Sequence, residues 1–396
     1  MKVFFRTIHL YLSLAAGLVI LVVCFTGAVL VFEKEMQMAL YPERYFVEPS
    51  AKQASLAQME QNLQQTVPGA TLNSAKIYNN PKRTIELNYA VEKPGEAKPG
   101  AGGSGKGGGN NGQAFMHPYT GELISLYSYR KTFFYTMFAL HRWLLADDIG
   151  KLIVGISTLL FLVILLTGII LWLPKNVKIL KQRLTLKLNA GWKRINHDLH
   201  IVIGFYTAIF LFAFAFTGLA WSFKWFNDGI YKITGTENKR AEPLLSQPGN
   251  DTTAITLDAA YHIAKQTRPD AKYYQLNVAK GDSAAIAVTV LSKNAVHERA
   301  TDQLFIDQYS GAVLGQQLYR DRNLGQRVRS TFYPIHVGSI AGLPGRIIAF
   351  LACLAGVTFP ITGVIMWINR LQKKKQQKQR KSVKRKTIVS DLQSNL

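Results

Sequence analysis

Four stretches of the chain, residues 10–32, 152–173, 201–223 and 347–368, contain no Asp, Glu, Lys or Arg. At about 1.5 Å of rise per residue, each is long enough to cross a hydrocarbon layer of about 30 Å as an α-helix. A lipid-exposed backbone has no water to bond, so it closes its hydrogen bonds within its own helix or within a closed barrel. The spacing therefore predicts a membrane α-helical protein with four transmembrane helices. The segments between them alternate: a long polar one, a short basic one and a second long polar one. The expected order is helix, external domain, helix, short loop, helix, external domain, helix.

Charge supports that layout and orients it. The chain carries 47 Lys and Arg against 24 Asp and Glu, a formal net charge of +23. Such an excess suits nucleic acid or an anionic membrane, and a 48% hydrophobic content with 18% charged residues argues against nucleic acid as a partner. Lys2 and Arg6 flank the first run, Lys175 to Arg194 crowd the short loop, and Lys373-Lys374-Lys375 and Lys384-Arg385-Lys386 fill the tail. Lys and Arg near helix ends stay on the cytoplasmic side. Both termini and the central loop are thus expected in the cytoplasm, with the tail touching membrane lipids. The two larger segments then face a periplasm, which makes the protein multi-pass in a bacterial inner membrane. Leu21-Val22-Val23-Cys24 faintly resembles a lipoprotein cleavage site, but Val23 is not small and the apolar run continues past Cys24. With only Cys24 and Cys353, the sequence offers no disulfide scaffold, thiolate zinc site or Cys-ligated iron–sulfur cluster.

The chain also repeats itself. At an offset of 191, His9, Thr26, Gly27 and Phe32 fall on His200, Thr217, Gly218 and Phe223. At 195, His141, Gly150, Lys151, Thr167, Gly168 and Trp172 fall on His336, Gly345, Arg346, Thr362, Gly363 and Trp367. Pro118-Tyr119-Thr120-Gly121-Glu122-Leu123 matches Gln308-Tyr309-Ser310-Gly311-Ala312-Val313 in the same way. Each half reads as one helix–domain–helix unit, and the two copies share an orientation. His9 and His200 each precede a Thr-Gly pair by 17 residues, about 26 Å along a helix, at the cytoplasmic mouth. His141 and His336 precede theirs by 26 residues, at the external mouth. Paired imidazoles at two levels of an apolar bundle suit two b-type haems held by axial histidines, His9 with His200 and His141 with His336. Arg142, Lys151 and Arg346 outside, with Arg6 and Arg194 inside, are candidates for the propionates. His197 is a rival to His200 but has no counterpart at the 191 offset. Interfacial histidines that cap carbonyls or bind lipid are the plainer alternative.

The remaining motifs carry less. A Thr-Gly pair recurs in every apolar run, at 26–27, 167–168, 217–218 and 362–363; close helix packing is the simpler reading, clearance for a macrocycle the other. Gly100 to Lys106 fits a phosphate-loop spacing, yet lies in a low-complexity run, 95–112, without a following helix, and reads as a flexible linker. Helical patterns over 55–65 and 257–266, and extended ones over 84–90, 273–279 and 284–290, suggest two small α+β external domains. His117, His262 and His297 read as surface residues.

Taken with the His197-Asp198-Leu199-His200-Ile201-Val202-Ile203-Gly204 segment, the Pro118-Tyr119-Thr120-Gly121-Glu122 turn, and Thr362-Gly363 through Trp367, the sequence resembles the PepSY-associated transmembrane family of iron-regulated inner-membrane proteins. The resemblance implies four membrane helices and two periplasmic PepSY domains. For characterised members it also implies di-haem reduction of ferric siderophores. On that reading the chain divides into a first helix (1–33), a PepSY-like domain (34–135), a His segment and helix (136–174), a basic loop (175–199), a third helix (200–223), a second PepSY-like domain (224–332), a His segment and helix (333–369) and a basic tail (370–396). Only a short tail follows Asn369-Arg370, with no fused flavin domain, so electrons are expected from a cytoplasmic donor or quinol. The expectation is an electron conduit that reduces a periplasmic ferric siderophore. The alternative is a non-catalytic membrane scaffold whose PepSY domains bind peptides or a protease.

Overall fold

The computed structural model describes residues 1–91, 111–174, 176–238, 244–247 and 253–394. The glycine-rich linker expected at 95–112 lies almost wholly outside the described residues. The chain separates into two units: a helical one of residues 1–31, 137–223 and 343–396, and a sheet-containing one of residues 32–136 and 224–342.

Among the described residues, four helices are long and apolar enough to cross a membrane: Lys2–Val31, Asp147–Trp172, Trp192–Ser222 and Ser339–Arg380. They are called the first to fourth membrane helices below. Their burial is inverted relative to a soluble bundle. Leu18 and Ile209 are 76% and 69% exposed, whereas Thr26 and Thr217 are 1% and 3% exposed. Apolar side chains turned outward and hydroxyls turned inward are what a lipid solvent selects. This is a multi-pass membrane protein. The interior contains Ala16, Ile20, Cys24, Phe161, Ile164, Leu211, Ala215 and Ala352, contributed by all four helices. Close approach is set by small residues: a Cβ added at Gly356 on the fourth helix would meet Cys24 Sγ of the first at 2.6 Å.

One end of the helical unit is tied by basic residues. Lys2 Nζ donates to the Leu173 carbonyl at 2.7 Å, and Arg183 Nη1 donates to the Leu171 carbonyl at 3.0 Å and to that of Trp172. Both satisfy orphan carbonyls at the C-terminal end of the second helix. The third helix contains a turn of π-helix at Leu199–Ile203, immediately around His200. Such a turn inserts one residue into an α-helix and rotates the side chains on its C-terminal side.

Among the described residues the second unit is built on an antiparallel sheet of eight strands in the order β4-β3-β2-β1-β5-β6-β7-β8. The strands are β1 (Ala70–Tyr78), β2 (Ile85–Val91), β3 (Gly112–Met116), β4 (Leu123–Tyr127), β5 (Ala271–Asn277), β6 (Ile286–Ser292), β7 (Asp302–Ile306) and β8 (Val313–Gln317). The two long polar segments thus meet in a continuous sheet through β1 and β5, with Ser74 opposite Asn277 and Tyr78 opposite Tyr273. Pairing of those strands removes two exposed edges. Helices Leu56–Thr66 and Leu257–Thr267 place Met59, Leu63, Ala260 and Ala264 in a core with Ala75, Leu87, Tyr274, Leu276 and Val288 of alternate strand positions. Ser55 and Thr256 cap these helices by accepting from the Gln58 and Ala259 amides. Asp258 carries the join further, accepting from the Leu56 amide at 2.8 Å.

Candidate functional site

His9 lies in the first membrane helix and His200 in the third, and the bundle brings their rings together. The centroids are 6.4 Å apart and the ring planes 80° from parallel. Each ring is held by the nitrogen nearer its own backbone. His9 Nδ1 is 3.1 Å from both the Ile164 carbonyl and Thr167 Oγ1 of the second helix. His200 Nδ1 is 2.8 Å from Thr362 Oγ1 of the fourth. A carbonyl only accepts, so the Ile164 bond makes His9 Nδ1 the protonated nitrogen. Thr362 spends its own proton on the Thr358 carbonyl at 2.8 Å, so its oxygen accepts from His200 as well. In a neutral imidazole that carries its proton on Nδ1, Nε2 is unprotonated, the state in which imidazole binds a metal.

The separation can be tested against the expected cofactor. Two metal–nitrogen bonds of about 2.0–2.1 Å, with about 1.2 Å from each nitrogen to its ring centroid, would add to about 6.4–6.6 Å for two imidazoles on opposite sides of one metal. The 6.4 Å between the His9 and His200 ring centroids lies at the short end of that range. Among the described residues no group of three or more His, Cys, Asp and Glu side chains converges, and an axial pair on a planar macrocycle calls for only two. The Phe359 ring stands edge-on to His200 at 5.7 Å, supplying an apolar wall beside it.

His197 takes a different role. Its Nδ1 lies 3.3 Å from Asp198 Oδ1 and its side chain is 48% exposed. Asp198 is buried and accepts from Arg194 Nε with both oxygens, at 2.7 and 2.8 Å. This cluster fixes the start of the third helix, and it commits Arg194 Nε, one of the expected propionate donors, to a carboxylate. Asn196 adds a bond to the Thr362 carbonyl at 3.1 Å.

His141, in helix Phe133–Trp143, is held as His9 is. Its Nδ1 is 2.9 Å from the Val23 carbonyl and 3.3 Å from Thr26 Oγ1 of the first membrane helix. Thr26 is 17 residues beyond His9, about 26 Å along that helix, so His9 and His141 occupy opposite ends of it. A tight turn follows His141, with Leu144, Leu145 and Asp147 at φ of 51°, 58° and 44°. Left-handed conformations at non-glycine residues are strained, and here they cluster next to a candidate ligand. His336 belongs to the sheet-containing unit, as the last residue of helix Leu324–His336, followed by Gly338 at φ 76°.

The remaining histidines divide. His262 is exposed, as expected. His117 caps its own turn, accepting from the Tyr119 and Thr120 amides at 3.3 and 3.2 Å. Asp307, its counterpart in the second half, caps the equivalent turn through the Tyr309 and Ser310 amides at 2.9 and 2.8 Å. His297 is not a surface residue: it is 8% exposed, its Nε2 is 3.0 Å from the Tyr319 hydroxyl, and burial holds its pKa below the usual imidazole value. Sequence reasoning missed it because it sits in a polar, turn-rich segment where nothing predicts a packed ring.

Close packing alone does not describe the Thr-Gly pairs. Thr26, Thr167 and Thr362 each touch a candidate haem ligand, and each of the four threonines bonds back to the carbonyl four residues earlier in its helix. A model of the PepSY-associated TM region matches residues 6–370 of the chain. Comparison with curated proteins gives no match.

Proposed function

The chain belongs to the PepSY-associated transmembrane family, and from that premise we propose that it is a di-haem electron conduit of a bacterial inner membrane. The observation that carries this reading is the His9–His200 pair: two rings 6.4 Å apart, each tied through Nδ1, which leaves Nε2 available to a metal. Haem, when bound, supplies one-electron Fe(III)/Fe(II) chemistry that amino-acid side chains lack. His9 and His200 would hold one haem. His141 and His336 would hold the second, on the strength of their matching sequence register and of the equivalent seating of His141 on Thr26. Apolar residues of the bundle interior, Ile20, Phe161 and Leu211 among them, would keep water from the path between the two levels.

The tandem repeat accounts for two such levels: each half contributes one histidine to each. Both termini and the basic loop are assigned to the cytoplasm, a view supported by Lys2 and Arg183 gathering at one end of the second helix. The sheet-containing unit is then periplasmic and meets the acceptor. We assign a ferric siderophore as that acceptor, because one-electron reduction to Fe(II) weakens its hold in a hard-oxygen chelate. Protein in liposomes with an internal reductant should deliver Fe(II) from an external ferric hydroxamate or catecholate to a ferrous-specific chelator. Haem that is reduced but never reoxidised by any ferric chelate would refute the acceptor while leaving the conduit standing.

A further inference from the structure

The Thr-Gly pairs act on the histidines rather than on helix packing alone. At three of the pairs, one histidine of a neighbouring helix meets the same three features. Its Nδ1 reaches the threonine hydroxyl: Thr167 for His9, Thr26 for His141, Thr362 for His200. It also faces the carbonyl three residues earlier: Ile164, Val23 and Phe359 respectively. Its Cε1 rests against the glycine, where an added Cβ would stand 3.3, 3.2 and 3.4 Å away at Gly168, Gly27 and Gly363. The threonine's proton is already committed to its own helix, to Val163, Val22 and Thr358 at 2.8, 2.7 and 2.8 Å. Its oxygen can therefore only accept.

We propose that Thr26, Thr167 and Thr362, each with the glycine next to it in sequence, are ligand-positioning residues that fix the histidine tautomer and ring angle for haem iron. The inference rests on the di-haem reading. A hydrogen bond to the outer ring nitrogen raises the basicity of the inner one and favours the ferric state. The glycine leaves room for the ring edge, which an alanine would push by a few tenths of an ångström. A residue that merely packs would need no hydroxyl.

The test compares Thr362→Val, Thr362→Ser and Thr207→Val with the wild type, all purified from haem-replete cells. Thr207 bonds back to Ile203 at 2.8 Å in the third helix with no histidine against it, so it controls for loss of a helix hydroxyl. Thr362→Val is expected to retain one haem about tenfold more weakly. A tenfold loss of ferric preference raises its midpoint potential by about 59 mV. Thr362→Ser should restore both, and Thr207→Val should change neither. If Thr362→Val behaves as wild type, or Thr207→Val shifts equally, the positioning role is wrong. Should the wild type bind no haem at all, the conduit reading fails instead. Ring ¹⁵N spectra of selectively labelled protein then decide the tautomer: Nδ1–H at His200, lost in Thr362→Val, upholds the positioning role, and Nε2–H in the wild type overturns it.

Discussion

The turn after His141 offers a perturbation whose size can be worked from distances. Gly150, in the first turn of the second membrane helix, packs so closely on the preceding turn that an added Cβ would lie 1.7 Å from the Trp143 carbonyl oxygen. Even a tight contact of 3.0 Å requires a displacement of 1.3 Å (3.0 − 1.7), and the opposing atom is backbone, not the end of a flexible side chain. His141 is two residues before Trp143, and its Nδ1–Val23 bond of 2.9 Å breaks beyond about 3.5 Å, so it tolerates roughly 0.6 Å. Gly150→Ala should therefore release His141 and destabilise the helical unit by about 1–3 kcal/mol, the usual cost of overpacking. The assay is thermal unfolding in detergent together with haem counted per chain. Loss of about one haem, with the His9–His200 haem retained, is the expected result. Leu145→Gly is the counterpart: Leu145 is exposed at φ 58°, a conformation glycine adopts freely, so both haems should remain. Full haem retention and unchanged stability in Gly150→Ala would refute this account of how His141 is placed.

Three further outcomes are expected. Backbone hydrogen bonds from Ser310 and Tyr309 hold the Asp307 carboxyl below the usual carboxylate range. A depressed folded pKa contributes stability above the unfolded value of about 3.9, lost as pH falls through the folded value; Asp307→Ala should cost about 1–2 kcal/mol at pH 7 and flatten the acid-unfolding profile below about pH 4. Replacing buried Asp198 by Ala strips Arg194 of its carboxylate and leaves the start of the third helix loose, so the haem on His200 should be lost more readily, as haem titration would read. Cys24 is buried and Cys353 nearly so, both as free thiols; neither should react with a maleimide until the protein is denatured in sodium dodecyl sulfate, as mass spectrometry would show.

The four spans were legible because lipid imposes one strong pattern on sequence. The closeness of His9 and His200 was legible too, since each precedes a Thr-Gly pair by 17 residues and so falls at one depth. The Thr-Gly role was not, because sequence shows a hydroxyl and a missing side chain but not which neighbouring helix supplies the ring. The π-turn at Leu199–Ile203 has no marker among ordinary helix formers. Nothing in the sequence announced β1: its register shifts between Leu72 and Ser74, and such a bulge breaks the two-residue alternation that marks a strand. The extended pattern over 273–279 marks β5, but with β1 unmarked its pairing partner has no place in the sequence pattern. His297 escaped for the converse reason, as its burial comes wholly from tertiary packing.

The central claim is that His9 and His200 are axial ligands of one haem, and the direct measurement is the reduced-minus-oxidised absorption spectrum with haem quantified per chain. Wild type, His9→Ala and His200→Ala, made in haem-replete cells, are compared. The account predicts about two b-type haems in the wild type, with each substitution removing the same one. A wild type without haem, or substitutions that leave its spectrum and stoichiometry unchanged, would contradict it.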